Sequence, residues 1–165
     1  MKPDLVLKNA KIFNVFTGDI EEGDVAVSGG HIAGIGRYEG KEEIDIGGRV
    51  ICPGLIDSHI HIESSMMTPA EFAKSVIPHG TVAVVTDPHE IANVAGEDGI
   101  SFMLENSKGL PMDVFFMLPS CVPATPLDEA GVRSDHECSV FEEAEDLVHG
   151  SISSDHFSKS ILIIM

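Results

Sequence analysis

The stretch that decides the fold reads PGLIDSHIH and occupies residues 53–61. Its apolar residues favour an interior strand, in which successive side chains point to opposite faces. His59 and His61 therefore project from one face, within reach of a single metal ion. An unpartnered imidazole is costly inside a protein, which favours a metal site over the alternative of two surface histidines on an edge strand. If the strand runs on, Glu63 joins the same face.

Beyond this stretch, apolar runs alternate with helical patterns. A capping box with proline at the first helical position opens a helix at residues 68–71, and His79-Gly80 ends it. Further apolar strands are expected at residues 81–86 and 112–118. Such alternation predicts parallel βα units. Three units are expected, and a fourth if residues 141–148 form a helix and residues 161–165 a strand.

The first fifty residues have a different rhythm, with short alternating strands separated by turns such as Ser28-Gly29-Gly30. We therefore predict two domains, N-terminal β-strands over residues 1–52 and βα units over residues 53–165. The fold class is α/β. An eight-unit barrel needs roughly 250 residues, so a chain of 165 residues cannot hold one.

Charge and cysteine content restrict the function. Twenty-seven acidic and 10 basic residues give a formal charge of −17, which opposes binding to nucleic acid or to anionic membranes. Three cysteines without a CxxC pair fit a reducing compartment. The N-terminus lacks the apolar core of a signal peptide, and the apolar run at residues 161–165 is too short to span a bilayer. These features predict a soluble, cytoplasmic protein.

Two further segments follow predicted strands and so lie where barrel enzymes place active-site groups. In DPHE, residues 87–90, Asp87 can cap a helix with Glu90 reaching back, which leaves His89 unexplained and suggests proximity to a site. Ser120 and Cys121 follow the third strand. They are weak candidates for lining a pocket, and a small buried residue in a turn explains Cys121 equally well.

The sequence resembles a known family on these residues. PGLIDSHIH is similar to the first barrel strand of the amidohydrolase superfamily, whose architecture is a (β/α)8 TIM-like barrel with a small β-sandwich from both chain ends. The segments HIESSMMTPAEFAKSVIPHGTVAVVTDPHEIANVAG and LPMDVFFMLPSCVPATPL resemble the adenine deaminases in particular. This similarity runs from about Leu5 to Leu127. It implies a partial amidohydrolase barrel preceded by a β-sandwich portion.

The resemblance also implies a site. His59 and His61 would ligate a catalytic metal, manganese or iron with zinc possible, in a family with two metals per site. His89, Glu63 and Asp87 are candidates for catalytic residues, with roles unassigned. A segment similar to SDHEC, residues 134–138, lies much later in the family, where its histidine binds the second metal. Its place here implies an internal deletion after about Leu127, with His136 a ligand, or else His136 is exposed in a loop.

The implied reaction is hydrolysis of adenine to hypoxanthine and ammonia in purine salvage, with a small purine as substrate and a homo-oligomer possible. The family's bridging glutamate, its other histidine strand and its last-strand aspartate have no match in the sequence. Two alternatives remain open: an amidohydrolase of other cyclic-amide specificity, and a non-catalytic remnant or metal-binding fragment. The zinc nucleobase deaminase pattern is excluded because its P-C-x-x-C half is missing.

Overall fold

The computed structural model of the chain describes residues 2–117 and the backbone of residues 161–164. The chain divides into two compact units, Met1–Gly54 with Ser154–Met165, and Leu55–Ser153. The elements of the described residues are β1 (Leu5–Phe13), β2 (Ile20–Ser28), β3 (His31–Gly36), β4 (Glu42–Asp45), β5 (Val50–Pro53), β6 (Leu55–Ile60), α1 (Pro69–Val76), β7 (Thr81–Thr86), α2 (His89–Ser107), β8 (Asp113–Phe116) and β9 (Ile161–Ile164), with 3-10 turns at Glu63–Ser65 and Ile77–His79.

The first unit is a sheet in the order β3-β2-β1-β5-β9, with β4 also paired to β1. The predicted hairpin joins β2 to β3, with Ser28 opposite His31. Both residues of its turn, Gly29 and Gly30, have positive φ (58° and 80°), as the favoured two-residue hairpin turn requires. Residues of the strands, together with Ile46 just after β4, form a small apolar core: Leu7, Ala10, Ile12, Val25, Ile46 and Ile51.

A partly buried ion pair between Lys8 and Asp24 also stabilises the first unit. Asp24 is only 6% exposed. Its carboxylate accepts hydrogen bonds from Lys8 Nζ at 2.8 Å and from the backbone N–H groups of Asn9 and Tyr38. Burial by itself raises the pKa of Asp24. The three donors outweigh burial, and the pKa lies below its ordinary value. Asp24 therefore stays ionised in the folded protein to lower pH than in the unfolded chain.

We expect Asp24→Asn to lower the free energy of unfolding at pH 7 by about 1.5–3 kcal/mol, the range for hydrogen bonds to charged groups. Because the folded pKa is depressed, this stabilisation is present above the unfolded pKa of about 3.9 and is lost as pH falls through the folded pKa. Urea unfolding at pH 7 and at pH 3 measures it, with exposed Asp19→Asn as the control. An equal loss at both pH values would show that the ionised carboxylate is not its source.

The second unit is a parallel sheet in the order β6-β7-β8, with α1 linking β6 to β7 and α2 linking β7 to β8. These βα units confirm the alternation predicted from the sequence. The helices and the sheet share one core, which contains Ile62, Phe72, Ala73, Val84, Ala92, Ile100, Met103, Leu104, Met112 and Phe116. The described residues thus form a mixed α/β protein with part of a barrel and a separate N-terminal sheet.

The sequence predicted the cap of α1 correctly and the cap of α2 incorrectly. Thr68 caps α1 as expected, accepting a hydrogen bond from the backbone N–H of Glu71. Asp87, in contrast, does not cap α2: Pro88 occupies the N-cap position, and no side chain caps this helix. The prediction of Asp87 as a cap is therefore wrong. Pro88 has non-helical backbone angles (φ −85°, ψ 38°), so the helix begins at His89 and Asp87 lies one position before the N-cap.

The sequence pattern suggested that the C-terminal strand belongs to a fourth βα unit. In the structure it pairs with a strand of the first unit instead. β9 pairs antiparallel with β5, with Val50 opposite Ile164. The compact unit that contains β9 accordingly begins at Met1 and includes β5, and the division after Gly54 lies two residues beyond the position predicted from sequence. The chain thus returns at its C-terminal end to the sheet in which it began.

Candidate metal centre

The candidate site forms where β6 and β7 end. His59 lies in β6, His61 follows its last residue, and Asp87 follows the last residue of β7. The backbone N–H of Asp87 donates to the carbonyl of Ile60 at 2.9 Å, which fixes the two strand ends side by side. Parallel pairing therefore brings His61 and Asp87 together although they are 26 residues apart in sequence.

The two histidines of β6 present their Nε2 atoms to each other at 3.2 Å. Two metal–nitrogen bonds of about 2.1 Å, meeting at an angle of about 100°, separate their nitrogens by about 3.2 Å. The rings are close to perpendicular, with centroids 5.0 Å apart. This spacing fits two ligands that converge on one ion.

The other ring nitrogen of His61 sets its tautomer. His61 Nδ1 lies 2.8 Å from the backbone carbonyl oxygen of Asp87. A carbonyl only accepts, so Nδ1 carries the proton and donates, and the lone pair remains on Nε2. Metal-binding histidines are commonly held in this way by a partner on the non-ligating nitrogen.

Three carboxylates in this region leave oxygens without donors. Among the described residues, Glu63 Oε2, Asp87 Oδ1 and Glu90 Oε2 are buried and accept no hydrogen bond. Buried charge without a partner is costly, and such groups call for a water or an ion. Nitrogen and carboxylate ligands together suit divalent transition metals. The residues present therefore fit a cation.

Among the described residues, two groups of possible ligands each have their ligand atoms within 4.8 Å of one another. One is His59, His61 and Asp87, and the other is His61, His89 and Glu90. His89 stacks edge-on against His61, with centroids 4.6 Å apart, and its Nδ1 lies 3.4 Å from Asp87 Oδ2. The structure thus places His89 beside the site, as the sequence suggested. The structure also places Glu90 in a group of possible ligands, whereas the sequence pattern explained Glu90 as part of a helix cap.

Glu63 was expected to extend the strand of His59 and His61, but the structure places it elsewhere. β6 does not run on to Glu63, which instead begins the 3-10 turn Glu63–Ser65. Its Oε1 accepts from the backbone N–H of Ile91 at 3.3 Å, in the first turn of α2. Glu63 belongs to neither group of possible ligands in the described residues. Ser120, Cys121, His136 and the proposed junction after Leu127 lie outside the described residues.

The pKa values of Glu63 and Glu90 are shifted in opposite directions. Burial raises the pKa of Glu63, and the neighbouring Glu90 carboxylate raises it further. Burial also acts to raise the pKa of Glu90, but the Ser64 hydroxyl and the imidazoles of His89 and His61 outweigh it and the pKa falls below its ordinary value. Glu90 is therefore the ionised partner, while Glu63 holds a proton to higher pH.

Comparison with known proteins defines the class. Residues 50–157 match the model of the amidohydrolase family, and the chain belongs to that family. The chain also superposes on L-hydantoinase from Arthrobacter aurescens (TM-score 0.54, 21% identity, 68% of this chain and 27% of that one). D-hydantoinase gives a TM-score of 0.54 at 23% identity, over 70% of this chain and 28% of the other. These likenesses show a shared fold.

The particular relatives are adenine deaminases, which confirms the resemblance found in the sequence. The chain is 62% identical over 130 residues to the adenine deaminase of Geobacillus kaustophilus (79% of this chain, 22% of the relative). It is 58% identical over 139 residues to adenine deaminase 2 of Carboxydothermus hydrogenoformans (84% and 24%). The chain thus spans about a quarter of the length of these relatives. None of the described helices has the length and apolar character to cross a membrane.

Proposed function

We propose that these residues carry the first metal-binding strands of an adenine deaminase, which converts adenine and water into hypoxanthine and ammonia. The 62% identity carries this proposal. The match leaves out only 35 of 165 residues, so it necessarily contains residues 59–90, the whole of the candidate metal centre. An identity this high over a stretch that contains the site is the strongest support for a shared substrate, a small purine.

His59 and His61 would hold the ion through their Nε2 atoms, with the Asp87 carboxylate as the third ligand. When bound, a divalent ion supplies Lewis acidity that yields a water-derived nucleophile near neutral pH. Manganese or iron is proposed, and zinc is compatible with the same ligands.

Proton movement falls to the groups beside the ligands. The oxygen of water adds to the ring carbon that bears the amino group, and that nitrogen must gain protons before it leaves as ammonia. His89 adjoins His61 and can exchange a proton at a ring nitrogen. Glu63, whose pKa is raised, can hold one. These roles, a cytoplasmic location and a homo-oligomeric state stay predictions.

Two other functions have some support. The hydantoinases share this fold, so hydrolysis of another cyclic amide is the second candidate. Its support is weaker, because the chain is 21–23% identical to the hydantoinases and 62% identical to the adenine deaminase of Geobacillus kaustophilus. A non-catalytic metal-binding fragment is the third, supported by the small share of the relatives that the chain spans.

A chimera tests the substrate. Residues 5–127 of this chain replace the matching segment of the Geobacillus kaustophilus adenine deaminase, and the product is assayed with adenine, hydantoin and dihydrouracil. We expect ammonia and hypoxanthine in equal amounts from adenine and no ring opening of the cyclic amides. Ring opening without adenine turnover would contradict the proposed substrate and support the second candidate.

A further inference from the structure

Glu90 bridges two segments at the metal centre. Its Oε1 accepts a hydrogen bond from Ser64 Oγ at 2.8 Å. Its Oε2 lies 3.2 Å from His61 Nδ1 and 3.8 Å from His89 Nε2, and it is buried without a hydrogen bond from the described residues. The carboxylate is therefore held at one oxygen and presents the other to the imidazoles.

The two edges of the His61 ring face different partners. Nε2 faces His59 Nε2, whereas Nδ1 faces Glu90 and the carbonyl of Asp87. The ring nitrogens of an imidazole point away from each other, so an ion shared by the two Nε2 atoms lies on the side of the ring remote from Glu90. Glu90 contacts the Nδ1 edge of His61, so it lies beside that ligand and does not itself ligate an ion shared by the two Nε2 atoms.

We propose that Glu90, anchored by Ser64, is a positioning residue that fixes the ring and tautomer of His61 for a divalent metal ion. A negative charge beside Nδ1–H stabilises the tautomer whose lone pair is on Nε2 and makes that nitrogen a stronger ligand. The carbonyl of Asp87 already accepts this proton, and Glu90 adds the full charge that a carbonyl lacks. The inference rests on the proposed function in that it takes His61 as a ligand.

Two measurements on the full chain test this role. Cobalt(II) titration followed by visible absorption reports affinity and coordination, and long-range proton–nitrogen NMR of the metal-free chain reports the His61 tautomer. We expect Glu90→Gln to weaken cobalt binding by about tenfold to a hundredfold, to alter the absorption bands and to raise the fraction of His61 protonated at Nε2. Asp98→Asn, which removes an exposed carboxylate from the same helix, should change none of these.

Ser64→Ala is the second variant, because it releases the anchor and keeps the Glu90 charge. It should shift affinity and tautomer in the same direction by less, and it decides the matter if Glu90→Gln does not fold. Unchanged affinity and tautomer in a folded variant would overturn the proposal, as would a lowered melting temperature with the tautomer unaltered. Failure of the unsubstituted chain to bind cobalt would contradict the metal centre itself, while the metal-free tautomer would still decide the role of Glu90.

Discussion

A chain carrying both His59→Ala and His61→Ala is expected to lose its divalent metal, with affinity reduced by more than about a hundredfold. Substituting an outer partner of a metal ligand alone costs about tenfold to a hundredfold. Here both nitrogens that converge at 3.2 Å are removed, and Asp87 is left as the remaining member of the first ligand group. Binding of manganese, iron and zinc should all weaken, because the double substitution removes ligands that each of these ions would use.

Equilibrium dialysis against each metal, followed by metal analysis, measures the loss. The matched control is His31→Ala with His79→Ala, which removes two exposed histidines outside the site and so corrects for binding by any imidazole. The control chain should bind as much metal as the unsubstituted chain. Equal metal content in the His59/His61 variant and in the unsubstituted chain would contradict the assignment of these residues as ligands.

Local patterns were sufficient to predict most of the elements of the fold. The period-two alternation before Pro53, the Gly29-Gly30 turn and the Thr68 cap each depend on neighbours in the chain, and each is present in the structure. The partner of β9 was not predictable in this way. An apolar run such as ILII is compatible with any sheet, and its pairing with β5 joins residues more than a hundred positions apart.

For the candidate site too, local sequence patterns predicted some contacts and not others. The proximity of His59 and His61 follows from strand geometry alone, and the structure places their Nε2 atoms together. The DPHE segment matches a helix start so well that Asp87 and Glu90 both had a local explanation. Their contacts at the site come from the parallel pairing of β6 with β7 and from Ser64, which sequence spacing does not reveal.

Activity is the property for which the largest effect is expected, because it requires a complete set of ligands. A two-metal hydrolase holds its ions with groups from several strands. The described part of the barrel has three strands, and its possible ligands come from the ends of two of them, β6 and β7, and from the first turn of α2. The family resemblance implies a bridging glutamate and a last-strand aspartate that this sequence does not match.

We therefore expect no measurable ammonia from adenine when the 165-residue chain is assayed with added manganese or iron. The chimera that supplies the rest of the relative should be active, and His59→Ala in that chimera should remove most of its activity. Loss of a single electrostatic group from a preorganised site costs about a hundredfold to a thousandfold in rate, and loss of a ligand should cost at least as much. Turnover by the 165-residue chain that disappears with His59→Ala would mean that its remaining residues complete the site. Turnover that survives His59→Ala in the chimera would instead show that β6 does not hold the catalytic metal.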